Sequence, residues 1–163
     1  MDNQFLRTQM LLGGDAMNQL HRSHVAVFGL GGVGSYAVEA LVRSGVGELT
    51  LIDDDTVSPT NLNRQLEALH STVGQNKTDA LAVRCRDIHP DVRLHLICAR
   101  YDAAHPEDFF TARYDYIPDA IDPVSSKPDL LQPAQAPGTP LPPAMRPRTT
   151  PHATPPCTPH LPT

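Results

Sequence analysis

The sequence predicts an α/β protein with a mostly parallel sheet and flanking helices, and three observations support this. Up to about Tyr116, short apolar runs alternate with segments of helical periodicity, which is the pattern of βαβ units. A glycine-rich turn separates the first apolar run from the helix that follows it, and an acidic run ends the next strand. A chain of 163 residues is long enough for one domain with its own core.

The chain begins with a helical arm, which we assign to residues 1–22. Between Asn3 and Leu20, apolar side chains recur partly at helical spacing around an interruption at Gly13 and Gly14. We expect this arm to pack on a partner or on the domain itself.

A strand, a glycine turn and a helix follow in that order. Residues 24–28 form a short apolar strand, Gly29 to Gly34 break it, and a helix runs through residues 37–42. The next strand is predicted at Leu49 to Ile52, and the acidic run that begins with Asp53 ends it. This order predicts a Rossmann-like sheet.

The rest of the sheet is predicted to be incomplete. A second helix is expected over Lys77 to Asp87, a third strand over Val92 to Ala99, and a fourth strand over Tyr114 to Ile121. Pro118 conflicts with the fourth strand, because a central strand needs its ladder N–H. We therefore assign residues 23–127 to a partial Rossmann-like domain.

The C-terminal part of the chain has a different composition. Only three of the 17 prolines precede Pro118, and Pro123, Pro128, Pro133 and Pro137 recur where a helix would be expected. Each interior proline costs a helix about 3 kcal/mol, so we expect residues 128–163 to be a disordered tail.

Composition excludes several classes of protein. The formal charge of −5 gives no overall basic excess for nucleic acid, so any nucleic-acid partner would need a local basic patch. No apolar run suits a membrane helix and the N-terminus lacks the build of a signal peptide, so the cytoplasm is the expected location. Cys85, Cys98 and Cys157 form no CxxC pair; we expect buried thiols, with neither disulfides nor a zinc knuckle.

The glycine turn carries the GxGxxG pattern of phosphate-binding loops. Gly29, Gly31, Gly32 and Gly34 allow a tight turn and a close approach of phosphate at a helix N-terminus. Asp53 follows Gly34 by 19 positions and is placed to bind ribose hydroxyls. The alternatives are a structural glycine turn and a solvated turn carboxylate or helix cap.

The segment after Asp53 is unlike that of an NAD dehydrogenase. Asn61, Arg64 and Lys77 offer hydrogen-bond donors suited to a triphosphate, whereas hydride transfer has no evident use for them. Taken singly, Arg64 and Lys77 would be read as surface charges. Asp119 and Asp122 fall at the end of the predicted fourth strand, where a carboxylate facing magnesium is expected.

Together these motifs resemble the ThiF/HesA/MoeB adenylating family, which is related to ubiquitin-activating enzymes. The glycine loop, the segment from Asp53 to Gln65 with its NLNRQ motif, Lys77 and the DxxD of Asp119 to Asp122 occur in the family's order, over about residues 3–130. The segment from Phe5 to Thr8 and the DAID motif with the following Ser-Ser-Lys look most like the branch that dehydrates threonylcarbamoyladenosine in tRNA.

The resemblance implies ATP-dependent adenylation of a carboxylate, with Mg²⁺, and a tRNA substrate. The resemblance assigns ATP binding to the loop glycines and to acidic, amide and basic residues that follow them. It assigns catalysis to the basic residues Arg64 and Lys77, to Asp122, and to Arg7, which would reach the site of the other subunit of a homodimer. It also assigns magnesium binding to Asp122. The implied residues are Gly29, Gly31, Gly32, Gly34, Asp53, Asp55, Asn61, Arg64 and Lys77 for ATP, and Arg7, Arg64, Lys77 and Asp122 for catalysis.

Two alternatives remain open. One is adenylation of a ubiquitin-like sulfur-carrier protein, with a sulfur-transfer partner protein, and the other is a non-catalytic nucleotide-binding remnant. Members of the family continue with further strands where this chain is rich in proline, so we expect a truncated or frame-shifted product without dehydratase turnover.

Overall fold

The computed structural model describes residues 4–102 and 104–118, and its centre is a parallel sheet of three strands. The strands are β1 (His24–Phe28), β2 (Glu48–Ile52) and β3 (Arg93–Ile97), in the order β1-β2-β3. Because the strands are parallel, their carboxyl ends meet at one edge of the sheet, where ligands of open α/β sheets bind.

Four helices accompany the sheet. They are α1 (Leu6–Leu12), α2 (Gly14–Arg22), α3 (Gly34–Ser44) and α4 (Lys77–Ile88). Short 3₁₀ turns occur at Pro59–Asn61 and Pro106–Asp108. Helix α3 connects β1 to β2 and α4 precedes β3, so both helices belong to the crossovers that parallel strands require.

The sheet buries apolar side chains on both faces. Alternate residues of a strand point to opposite faces, and Val25, Val27, Leu49 and Leu51 lie in a core cluster with side chains from α3 and α4. On the other face, a smaller cluster joins Ala26, Phe28 and Ile52 to Phe109 and Tyr114 from the C-terminal end of the described chain. Burial on both faces explains why β1 and β2 have few polar residues.

The predicted elements are confirmed where sequence periodicity was strong. β1 has the predicted bounds, the second strand begins one residue earlier than expected, and the predicted second helix is α4. The arm consists of two helices, as the Gly13 and Gly14 interruption indicated. Gly13 has a φ of 85°, which glycine adopts without strain.

The fourth strand is not formed as predicted among the described residues. Instead of a strand from Tyr114, there is one parallel bridge between Val25 and Tyr116, held by the Ala26 N–H donating to the Tyr116 carbonyl at 3.1 Å. Pro118 follows two residues later, and its ring fixes φ and removes the N–H. The rest of that predicted strand, Asp119, Asp122 and the predicted disordered tail at 128–163 lie outside the described residues.

Two further expectations concern the cysteines and the membrane. Cys85 is buried, and burial raises the pKa of its thiol to about 12, whereas Cys98 is exposed, so the expectation of buried thiols is wrong for Cys98. Cys98 follows directly after the edge strand β3, which leaves it less covered than Cys85 on α4. Within the described part of the chain, no helix is long and apolar enough to cross a membrane.

Candidate nucleotide-binding site

The glycine loop lies at the carboxyl end of β1, between the strand and α3. Gly29 has a φ of 81°, a left-handed conformation that favours glycine, and its N–H donates to the Ile52 carbonyl at 2.8 Å. At the other end of the loop, both the N–H and the hydroxyl of Ser35 bond to the Gly31 carbonyl, at 3.0 and 2.7 Å. The loop is therefore anchored at both ends by hydrogen bonds within the chain.

Asp53 fixes this loop to the end of β2. Its side chain is buried, and its Oδ2 accepts the Leu30 N–H at 2.6 Å while its Oδ1 accepts the Asp55 N–H at 2.9 Å. A carboxylate that accepts two backbone N–H groups is held in one orientation. The sequence predicted a ribose ligand here; the loop-anchoring bonds were missed, and ribose binding by Asp53 stays a prediction.

Lys77 lies against this acidic segment. Its Nζ donates to Asp55 Oδ2 at 2.6 Å and lies 3.7 Å from Asp53 Oδ1, and its side chain is almost completely buried. Its own backbone N–H donates to the Asp55 carbonyl at 3.1 Å. The structure thus brings Lys77, Asp53 and Asp55 together, which places a buried ammonium beside the glycine loop and its anchor.

Arg64 packs over the glycine loop from the segment after β2. A Cβ atom added to Gly32 would lie 3.4 Å from the Arg64 carbonyl oxygen and 3.5 Å from its Cγ, which is van der Waals contact, so Arg64 lies directly against the loop at Gly32. The Arg64 guanidinium is exposed, and its Nη1 donates to the Thr60 carbonyl at 2.8 Å and to Asn63 Oδ1 at 3.1 Å. A planar guanidinium with further N–H groups at this position is suited to phosphate.

Asn61 is buried in the turn that carries Arg64. Its Oδ1 accepts the Ser58 N–H at 2.9 Å, and its backbone carbonyl accepts the N–H groups of Arg64 and Gln65 at 3.1 and 3.0 Å. Asn61 therefore shapes this turn, and its predicted contact with phosphate stays a prediction.

Glu67 and Gln65 are buried polar residues that sequence reasoning missed. Glu67 is 2% exposed, and among the described residues neither of its carboxylate oxygens nor the Oε1 of Gln65 has a hydrogen-bond partner. Ser35 is near Glu67, but its hydroxyl proton is committed to the Gly31 carbonyl at 2.7 Å. Burial raises the pKa of Glu67, although the charge of Lys77 works in the opposite direction. The burial of Glu67 could have been predicted only from its apolar neighbours, which are Leu66, Ala68 and Leu69.

We expect Glu67→Gln to stabilise the chain at pH 7 by about 1 kcal/mol, because it removes a buried charge that lacks hydrogen bonds. The folded pKa of Glu67 is raised, so the folded state binds more protons than the unfolded state between the unfolded and the folded pKa. Wild-type stability should consequently fall as pH rises through that window, and the advantage of the variant should disappear below it.

Urea denaturation of both proteins from pH 4 to pH 8 measures this difference. Glu107→Gln, at an exposed position, is the control and should leave the stability profile unchanged. Equal pH profiles for wild type and Glu67→Gln would contradict the interpretation.

Arg7 is not brought to this site within its own chain. Phe5 packs at the far end of α3, where its ring lies 5.0 Å from that of His89 and its Cδ1 would lie 3.4 Å from a Cβ on Gly45. Helix α3 has 11 residues and is about 16 Å long, and Arg7 follows Phe5 by only two positions. Arg7 is therefore near the opposite end of α3 from the glycine loop.

The acidic segment offers oxygen ligands for a divalent cation. Carboxylate oxygens of Asp53, Asp54 and Asp55 all lie within 4.8 Å of one another, and hard cations such as Mg²⁺ prefer oxygen. Asp122, the predicted magnesium ligand, lies outside the described residues. An ATP phosphate group fits the remaining features, since the loop lacks side chains at Gly31 and Gly32 while Arg64 and Lys77 are beside it.

These features define a nucleotide-binding α/β domain with the first part of a Rossmann-like sheet. The profile of the ThiF family matches residues 5–155, and the chain belongs to that family. The resemblance predicted from the glycine loop and the segment after β2 is thereby confirmed.

Known relatives place the chain more closely within the family. It is 45% identical over 132 residues to the tRNA threonylcarbamoyladenosine dehydratase of Bacillus subtilis, covering 81% of this chain and 52% of that protein. It is 36% identical over 134 residues to the molybdopterin-synthase adenylyltransferase of Escherichia coli, covering 79% of this chain and 53% of that protein. The chain thus spans about half the length of the curated relatives it matches.

The fold is shared with the solved structure of a tRNA threonylcarbamoyladenosine dehydratase. The structure of Escherichia coli tRNA N6-threonylcarbamoyladenosine dehydratase in complex with ATP has a TM-score of 0.80 and 38% identity, covering 85% of this chain and 57% of that chain. The predicted Rossmann-like fold class is thereby confirmed.

Proposed function

We propose that this chain forms the ATP-binding part of an enzyme that adenylates a carboxylate, and that the carboxylate belongs to threonylcarbamoyladenosine in tRNA. The observation that carries the proposal is the grouping of Lys77, Arg64 and the glycine loop around the Asp53 anchor. Identity to dehydratases is higher than to the molybdopterin-synthase adenylyltransferase, which favours the tRNA substrate over a sulfur-carrier protein. Such an enzyme would work in the cytoplasm, where tRNA is found.

The chemistry needs a nucleotide held in place and its developing charge stabilised. A carboxylate attacks the α-phosphate of ATP, the bond to the β-phosphate breaks, and pyrophosphate leaves. Negative charge grows on the leaving phosphates, so preorganised cations beside them lower the barrier. Lys77 and Arg64 would supply those cations, and the bare backbone at Gly31 and Gly32 would admit the phosphates.

Lys77 is already held in place before the nucleotide binds. Its contacts with Asp53 and Asp55 keep the ammonium desolvated and oriented, which reduces the reorganisation needed on binding. A Mg²⁺ ion bound through oxygens of the acidic segment, together with Asp122, would add positive charge on the same side.

A homodimer is part of this proposal. Arg7 lies near the end of α3 that is distant from its own glycine loop, so a role in catalysis requires the site of a second copy. Leu6, Met10, Leu11 and Leu12 on α1 are exposed, and several exposed large apolar side chains on one short helix are suited to a protein interface.

Calorimetry with ATP and Mg²⁺, and separately with NAD, tests the proposal. We expect ATP to bind more tightly than NAD, and Arg64→Ala to weaken ATP binding by about 1.5–3 kcal/mol, because charge-assisted hydrogen bonds to phosphate are lost. Arg43→Ala is the control, since Arg43 is also exposed and lies in the last turn of α3, away from the glycine loop, where it pairs with Glu39.

Three outcomes would contradict the proposal. Tighter binding of NAD than of ATP would point to a dehydrogenase, and binding of neither nucleotide would rule out adenylation. An ATP affinity unchanged in Arg64→Ala would show that Arg64 does not contact the nucleotide. Light scattering on the same samples should give twice the chain mass of 17.7 kDa, and a monomer would remove the role proposed for Arg7.

A further inference from the structure

A second cluster of titratable side chains lies at the end of the sheet opposite the glycine loop. His24 is the first residue of β1 and pairs in register with Glu48, the first residue of β2. His95 lies on β3 two positions after Arg93, which is the register partner of Glu48. Since register partners and alternate positions share a face, the three strands present His24, Glu48 and His95 on one face of the sheet.

The donor atoms of these residues are close to the spacing of a metal site. Glu48 Oε1 lies 2.8 Å from His95 Nε2 and 3.7 Å from His24 Nδ1, and one ligand atom from each residue lies within 4.8 Å of the others. A tetrahedral zinc ion with bonds of about 2.0–2.1 Å separates its ligands by about 3.4 Å. The distances of Glu48 Oε1 from His95 Nε2 and from His24 Nδ1 lie just below and just above that value.

Neighbouring groups orient these ligands as outer partners do in metal sites. His24 Nε2 bonds to Thr50 Oγ1 at 2.8 Å, which leaves Nδ1 directed to Glu48. Glu48 Oε1 faces the two histidines, whereas Oε2 accepts a hydrogen bond from Arg93 Nη2 at 2.7 Å that competes with a metal ion for the carboxylate.

We propose that His24, Glu48 and His95 bind one divalent metal ion of the zinc class. Two imidazoles and one carboxylate are a ligand set that zinc accepts, and three protein ligands leave a fourth position for water. His95 is exposed, so the ion can enter and His95 can adjust its side chain, while the buried His24 and the strand backbone keep the rest of the site fixed.

The charges around the cluster affect the expected affinity. The Arg93 guanidinium opposes a cation, and its bond to Glu48 competes for the carboxylate. The Asp115 carboxylate favours a cation; its Oδ2 accepts a hydrogen bond from the backbone N–H of His24 at 2.8 Å. Replacing Arg93 should therefore raise the affinity for the metal ion. If the cluster is only a structural ion-pair network, the replacement should not raise the affinity for zinc.

Zinc titration of the full chain against a chromophoric chelator tests the proposal. We expect one ion per chain with micromolar affinity or tighter, a loss of about tenfold or more in His95→Ala, and an affinity at least as high as wild type in Arg93→Gln. His70→Ala is the control, because His70 is exposed and outside the cluster. Circular dichroism should give the same folded spectrum for all variants, since the substituted residues are exposed.

Some results would overturn the metal site. These are no saturable binding in the wild type, equal zinc affinity in wild type and His95→Ala, or weaker binding in Arg93→Gln. The nucleotide site is at the other end of the strands, so ATP calorimetry on His95→Ala should match wild type whatever the zinc result.

Discussion

Replacing Asp53 with asparagine is expected to abolish nucleotide binding and to lower the free energy of unfolding by about 3 kcal/mol. The carboxylate accepts N–H groups from Leu30 and Asp55 and faces the Lys77 ammonium. Asparagine keeps the size of the side chain, but its amide nitrogen turns a donor toward one of these N–H groups and leaves Lys77 with Asp55 alone. Removing one partner from a buried charged group has a cost of this order.

The loss should reach the nucleotide through the loop. Leu30 is completely buried and belongs to the loop that connects β1 to α3, so release of its N–H removes one restraint on the position of the glycines. Chemical denaturation and ATP calorimetry measure the two effects. Asp87→Asn is the control, because Asp87 is an exposed aspartate on α4 and lies outside the acidic segment. Wild-type ATP affinity with unchanged stability in Asp53→Asn would show that Asp53 does not anchor the loop.

The parts of the fold that sequence predicted well depend on local patterns. β1, the glycine turn and α3 follow one another within 21 residues, and each has its own signal: an apolar run, a breaker and helical periodicity. The position of Lys77 at the start of α4 was likewise close to the prediction. What it contacts was not predicted, since its ion pair with Asp55 joins positions 22 residues apart.

The parts that sequence could not predict depend on strand register. The sequence places His24, Glu48 and His95 far apart and in no common motif. They come together only because of the register in which β1, β2 and β3 pair. Glu67 is similar, because a glutamate in a loop is normally solvated even beside apolar neighbours, and its burial depends on how that segment packs beside Ser35 and Lys77. The fourth strand was predicted over Tyr114 to Ile121 and is a single bridge, between Val25 and Tyr116, among the described residues.

Gly47 is the position where a small substitution should have the largest effect on folding. Its N–H donates to the Leu20 carbonyl at 3.1 Å and its carbonyl accepts the Arg93 N–H at 3.0 Å, so it joins α2 to the start of β3. A Cβ atom added to Gly47 would overlap the carbonyl oxygen of His21 and lie 2.8 Å from its carbonyl carbon. Both atoms are backbone, so no side-chain rotation relieves the overlap.

Gly47→Ala is therefore expected to lower the free energy of unfolding by about 3 kcal/mol, because α2 must move away from the sheet and weaken its bond to the Gly47 N–H. Thermal denaturation should give a midpoint lower by about 10 °C. Gly14→Ala is the matched control: its Cβ would meet only the Gln9 side chain, at 3.9 Å, and alanine favours the helix that begins there. If both variants unfold at the wild-type midpoint, α2 does not pack against Gly47 in solution as it does in this structure.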